Sequence, residues 1–253
     1  VVATDFSPSA RVAMGHAARI AAARSAPLHV VLAVDSDPVT LMVSAGSSNR
    51  EEIESRLIQH GSGLLDREVS DAGVEVPASH RHVKIGRPGR VIVDECERLG
   101  AGLLVLGYHG GSAKYDRGPG SVAQRCVRHA PCDVLLTRRD RPEAFKRVVA
   151  GVDFSKATRA TVARAAEMAG PGGELVLLHA YSDPFESLGY MGMGLGVEPI
   201  PLGTYAAALQ ADLEKMGAGL GASVGTVRTE VFLDSYPGRA IADWCNEHGA
   251  DLT

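Results

Sequence analysis

A near-constant internal offset constrains this chain more than any single motif. Asp5-Phe6-Ser7 returns as Asp153-Phe154-Ser155, 148 residues later, and Pro88-Gly89-Arg90 returns as Pro237-Gly238-Arg239 at 149. Gly100-Ala101-Gly102-Leu103 matches Gly249-Ala250-Asp251-Leu252 at the same 149. Unrelated elements repeating at one spacing mean a duplicated domain, so the 253 residues are expected to make two copies of one fold. The boundaries expected are 1–140 and 146–253, joined by the charged, proline-broken Arg138-Arg139-Asp140-Arg141-Pro142-Glu143.

Within the first copy, short apolar runs alternate with helix-like segments. Val1–Thr4, Leu28–Val34 and Leu103–Leu106 carry no polar break beyond His29 and Thr4, as buried parallel strands do. Ser7 before Pro8 is a helix start, with the hydroxyl as cap and the proline where a missing N–H costs nothing. Asn49 begins another helix, with Glu51 and Glu52 in its first turn. Val39–Ser48 lacks periodicity and is expected to be a loop, and Val74–Ile85 alternates like a third strand. A helix begins at Arg87-Pro88-Gly89, another at Ser121, and Val134–Thr137 is the last strand. In the second copy, Ser155 is expected to cap a helix, Leu175–Ala180 and Val227–Leu233 to be strands, and Phe185–Gly203 to be a long glycine-rich loop. The resulting β-α-β-α order calls for a doubly wound parallel sheet with helices on both faces. The chain opens without methionine and stops at Thr253, inside an expected fourth strand, so residues outside both ends are expected.

The composition excludes several classes. Lys plus Arg is 26 against 30 for Asp plus Glu, a formal charge of -4, which gives no global field for nucleic acid or an anionic membrane. No apolar run reaches the roughly 18 residues of a membrane span and no signal pattern opens the chain, so a cytoplasmic location is expected. The four cysteines include no C-x-x-C pair.

One stretch carries chemistry. Gly107-Tyr108-His109-Gly110, then Gly120-Ser121 after nine residues, lies between the Leu103–Leu106 run and a helix start. Glycines here let a ligand approach the backbone, and the free N–H groups of a helix start suit phosphate oxygens. The spacing Gly107-x2-Gly110-x9-Gly120-Ser121 resembles the ATP-binding signature of the universal stress protein family. Val2-Ala3-Thr4-Asp5-Phe6-Ser7 is similar to that family's first strand and turn, and Val127–Leu136 to its last helix end and strand.

The resemblance spans nearly the whole chain. It implies two tandem Rossmann-like domains of the adenine nucleotide alpha hydrolase-like kind, each a five-stranded parallel sheet of order 3-2-1-4-5, with the second incomplete before its glycine loop. It implies ATP, alone or with Mg2+, beyond the carboxyl ends of the first and fourth strands. Asp5 would lie against the adenosine with Ala3 and Thr4 lining the pocket, and the Val34 backbone would meet adenine. Gly107, His109, Gly110, Gly120, Ser121, Val122 and Ala123 would meet ribose and phosphates, and Lys114 and Arg117 would offset phosphate charge. It further implies pairing between the two domains, with a homodimer as a further assembly, and a regulatory role in stress with slow or no hydrolysis. One nucleotide per chain is expected, since only the first copy holds both parts of the site.

Two rival readings stand beside this one: a nucleotide-using hydrolase or adenylyl-transfer enzyme of the same fold, and a dimerising stress protein without nucleotide. No Walker A sequence, G-x-S-x-G elbow or Ser-His-Asp set is present. His80-x-His82 puts two imidazoles on one strand face, a minimal metal spacing. No third ligand is adjacent in sequence, and metal binding is not expected there.

Overall fold

The structure, a computed structural model, describes residues 1–46, 49–111, 118–138, 145–183, 201–221 and 223–253. The chain divides into two compact units, Val1–Glu143 and Ala144–Thr253. Most of the linker stretch, Lys114, Arg117 and most of Phe185–Gly203 lie outside the described residues.

The first unit is a five-stranded parallel sheet in the order β3-β2-β1-β4-β5. Its strands are β1 (Val2–Thr4), β2 (Val30–Val34), β3 (Arg81–Ile85), β4 (Leu103–Gly107) and β5 (Asp133–Thr137). The helices are α1 (Pro8–Ala23), α2 (Asp37–Ser44), α3 (Arg50–Asp71), α4 (Pro88–Arg98) and α5 (Ser121–His129). Val2 pairs with Val30 on one side and Val105 on the other, so β1 is central and fully flanked. One sheet face, carrying Ala3, Val31, Leu104 and Leu106, packs on Ile92 and Cys96 of α4 and Cys126 of α5.

Local chemistry explains the element starts. The Ser7 Oγ accepts the Ala10 N–H at 3.2 Å, and α1 then buries Ala10, Ala13, Met14, Ala17 and Ile20, one stripe at helical spacing. The Asn49 side chain accepts the Glu51 N–H at 3.1 Å and opens α3. Helix α3 approaches the sheet at Gly61, where a Cβ would stand 3.0 Å from Val83 Cγ1 and 3.2 Å from Leu32 Cδ2. Glu68 of α3, only 5% exposed, accepts the Arg11 Nε–H at 3.1 Å, so its buried charge is paired across to α1.

Three expectations are corrected. Val39–Ser48 is not all loop, because Asp37–Ser44 forms α2. The Asp35 carboxylate accepts the Asp37 N–H, Pro38 sits in the first turn, and the Thr40 and Ser44 hydroxyls bond back to carbonyls four residues earlier. Only Val39 is buried on this helix, while Leu41 is 72% exposed, so no apolar period marks it. The third strand is shorter than its alternation implies, because Ala78–His80 winds into a 3-10 turn and pairing begins at Arg81. In the second unit Ser155 does not cap a helix. Its Oγ accepts the Ala157 N–H in a turn, and the helix starts at Thr158; Lys156 lacks the preset φ that Pro8 supplies after Ser7.

The second unit carries a three-stranded parallel sheet, β6 (Arg147–Gly151), β7 (Glu174–Tyr181) and β8 (Thr226–Leu233), in the order β6-β7-β8. Its helices are α6 (Thr158–Ala169), α7 (Leu202–Ala218) and α8 (Pro237–His248). Leu252 bridges Val148 in parallel, on the edge of β6 that corresponds to the β4 side of β1. Phe6 and Phe154 both hold positive φ, 64° and 56°, at the same point of the two copies. A bulky residue in this region is uncommon, and its recurrence marks a shared strand-to-helix turn.

At that turn the Asp153 Oδ1 accepts the Ser155 N–H and the Thr158 hydroxyl, each at 2.9 Å. The Ser155 N–H, with the Ser155 and Thr158 side chains, holds the Asp153 carboxyl down to about 2, from an ordinary 3.8. A folded value below the unfolded one gives stability that is present above 3.8 and lost as pH falls toward 2. Asp153→Ala is therefore expected to lower the thermal midpoint at neutral pH, with the gap to the parent closing between pH 4 and 2. Melts across that range check it, and a gap independent of pH would contradict the electrostatic origin.

Candidate functional site

The carboxyl ends of β1 and β4 lie side by side at the point where the strand order reverses. From β1 come Thr4 and Asp5. The Thr4 Oγ1 accepts the Phe6 N–H at 3.0 Å, and the Asp5 Oδ1 accepts the Ser7 N–H at 3.1 Å, which shapes the left-handed turn into α1. The other carboxylate oxygen reaches across to the glycine loop and accepts the Gly111 N–H at 2.8 Å. Asp5 therefore joins two stretches 106 residues apart.

The glycines have different causes. A Cβ on Gly107 would stand 2.5 Å from Ser9 Oγ and 2.8 Å from the Ser9 carbonyl carbon, so this glycine admits α1 against β4. On Gly110 a Cβ would lie 2.8 Å from Asp5 Oδ2, in the place of the latch itself. At Gly120 it would face the loop at van der Waals distance, 3.6 Å from the Gly110 nitrogen and 3.8 Å from His109 Cα. The Gly120 N–H donates to the Tyr108 carbonyl at 2.9 Å and closes the loop on itself.

Tyr108 is fixed as well. Its N–H donates to the Thr137 carbonyl, its ring lies 4.4 Å beneath the Arg138 guanidinium, and His109 stands edge-on to it at 4.7 Å.

Helix α5 follows with Gly120 at its cap position and no side chain capping it, unlike α1 and α3. The Gln124 N–H makes the first turn's bond to the Gly120 carbonyl, and the Gln124 amide donates to the Pro119 carbonyl at 2.7 Å. The amides of Ser121, Val122 and Ala123 therefore head a helix that brings no carboxylate or hydroxyl cap of its own. Ser121 is exposed, Val122 half-buried and Ala123 buried.

Of the residues expected at the site, Thr4, Asp5, Gly107, His109, Gly110 and Gly120 lie on the two strand ends and the loop that join here, and Ser121, Val122 and Ala123 in the first turn of α5. Ala3 is 5% exposed and packs in the core cluster, which leaves only its backbone near the crevice. Val34 ends β2, and its carbonyl already accepts the Gly86 N–H at 2.9 Å. Ser9, Tyr108, Gly111 and Arg138 were not singled out. Gly111 had a local signal as the second of two adjacent glycines, whereas Ser9 matters through a tertiary contact that no spacing reveals.

The second unit's corresponding edge differs. Register places Tyr181 where Val34 stands in the first unit, with its ring edge-on to Tyr205 at 5.6 Å and stacked on His179 at 6.4 Å. The Phe154 ring meets His179 at 4.7 Å, and the His179 Nδ1 bonds the Val152 carbonyl at 2.6 Å. The rings of Tyr181 and His179 thus stand where the first unit has Val34 and Leu32.

A doubly wound parallel sheet with a glycine loop at its switch point, its strand-turn unit repeated in a second unit, defines a tandem α/β protein of Rossmann-like fold. The universal stress protein family matches residues 1–138 and again 144–253, and the chain belongs to that family. A universal stress protein of Methanocaldococcus jannaschii is 30% identical over 146 residues, 56% of this chain and 83% of that one. One of Mycobacterium tuberculosis is 30% identical over 197 residues, 72% of this chain and 63% of that one. A solved universal stress protein of Archaeoglobus fulgidus shares the fold over 99% of this chain and 84% of its own, with a TM-score of 0.60 and 17% identity.

Gly107→Ala is expected to destabilise the protein by about 1–3 kcal/mol through the clash with Ser9. Gly102, with nothing within 4 Å of a built Cβ, serves as the control and should cost much less as Gly102→Ala. Urea denaturation of both variants gives the comparison.

Proposed function

We propose that the first unit binds an adenine nucleotide, ATP alone or with Mg2+, and that the protein acts as a nucleotide-responsive regulatory module in the stress response. The observation that carries this reading is the Asp5 latch, a carboxylate from β1 holding the β4 glycine loop beside an uncapped helix start. Membership of the universal stress protein family supports the same assignment.

The chemistry fits the residues present. Phosphate oxygens would take the N–H groups that lead α5, in the field of its positive end. A Cβ at Gly120 would only touch the loop backbone, 3.6 Å from the Gly110 nitrogen, but a larger branched side chain there would enter the space before the loop. The Ser121 hydroxyl, at the first residue of α5, would meet a phosphate or its Mg2+; a magnesium ion here would otherwise rely on phosphate and water oxygens. Among the described residues no group of three His, Cys, Asp or Glu side chains is arranged to hold a metal by itself. The described loop offers His109 for proton transfer, and its ring is turned against Tyr108, which favours binding over rapid hydrolysis.

Calorimetric titration of ATP into the parent and Gly120→Val tests the proposal. The valine branches would enter that space, and an affinity loss of at least tenfold, with an unchanged melting profile, is expected. Equal affinities would overturn the phosphate-loop assignment.

A further inference from the structure

The histidine pair His80-x-His82 gains a third member in the fold. His29 lies one residue before β2, and β2 pairs with β3 in the register Val30 to Arg81, so His29 comes beside His80 at the amino ends of the strands. This is the end of the sheet opposite the glycine loop. The His29 Nδ1 and His82 Nε2 face each other at 3.0 Å. The His80 ring stacks on His29 with centroids 4.0 Å apart, and its Nδ1 is buried without a hydrogen-bond partner. We propose that His29 and His82, with His80 as third ligand, form a binding site for a divalent transition-metal ion of the zinc class, separate from the nucleotide crevice.

Two features support it. Two imidazole nitrogens bound to one Zn2+ at about 2.0–2.1 Å and a tetrahedral angle stand about 3.3 Å apart, so the existing 3.0 Å separation needs only a small opening. The metal would replace the single proton that the two nitrogens now share. An unpartnered buried nitrogen on His80 is the second feature, because such an atom ordinarily has a partner and a metal would supply one. His80 now lies over His29 rather than beside it, so the three donors do not yet converge, in keeping with the absence of a preformed three-ligand group among the described residues. A turn of that ring would complete the set.

The charge around the pair is mixed. Arg98, with its Nη2 3.5 Å from His82 Nδ1, and Lys84 oppose a cation here, and Glu95 offsets them. Metal on the His82 Nε2 would put that ring's proton on Nδ1, so the Arg98 guanidinium, which now faces Nδ1 as a donor, would have to turn away.

Zinc chloride titrated into the full chain without nucleotide is expected to bind at one ion per chain. His29→Gln and His82→Gln should each weaken it at least tenfold, while His60→Gln, on exposed α3, should leave it unchanged. The imidazole proton resonances of the unaltered protein provide a readout that no substitution can disturb. Zn2+ should shift those of His29, His80 and His82 before those of other histidines. No binding, equal affinity in all variants, or first shifts at other histidines would overturn the site.

Discussion

A single carboxylate ties the first unit's functional edge together. Asp5 has one oxygen on the Ser7 N–H and the other on the Gly111 N–H, so the turn that starts α1 and the loop that precedes α5 share one anchor. The parallel order makes this reach possible, because β1 and β4 are neighbours and both end at the same edge. Hydrogen bonds to a charged acceptor are among the stronger ones, commonly about 1.5–3 kcal/mol each. At this exposed edge solvent lowers that figure, and the contribution is chiefly geometric. It fixes where the loop backbone lies.

The elements easiest to read from the amino-acid order are those whose cause is local. Ser7-Pro8 and Asn49 announce helix starts because a side-chain oxygen and a few backbone amides settle the matter within one turn. The duplication followed from the near-constant internal offset, the β-α alternation from the apolar runs, and the five-strand order from the family resemblance. Helix α2 escaped because it buries only Val39 and shows its other apolar residues to solvent. The shortening of β3 escaped because Val74–Ile85 keeps its alternation through a segment that winds at Ala78–His80.

At the site itself the glycine spacing was visible but the reasons for each glycine were not. Gly107 is small because of Ser9 and Gly110 because of Asp5, whereas a Cβ on Gly120 would only touch the loop backbone. Ser9 and Asp5 come from about a hundred residues away in the chain, which no local spacing reveals. His29 beside His80 is a further case: the pair in β3 is legible as a spacing, while its third member depends on the parallel register with β2.

The contact of Gly107 with Ser9 also bears on how such a site can vary. The same residue serves as the floor of the loop and as the place where α1 meets the sheet, so side-chain volume at 107 is limited by the core rather than by any ligand. Because the Ser9 carbonyl carbon is among the close atoms, no change of side chain at position 9 alone would make room for one at 107. Diversification of the crevice is thereby channelled to positions free of that double duty, such as 109 and 121, where a new side chain alters what the loop can recognise without wedging helix from strand.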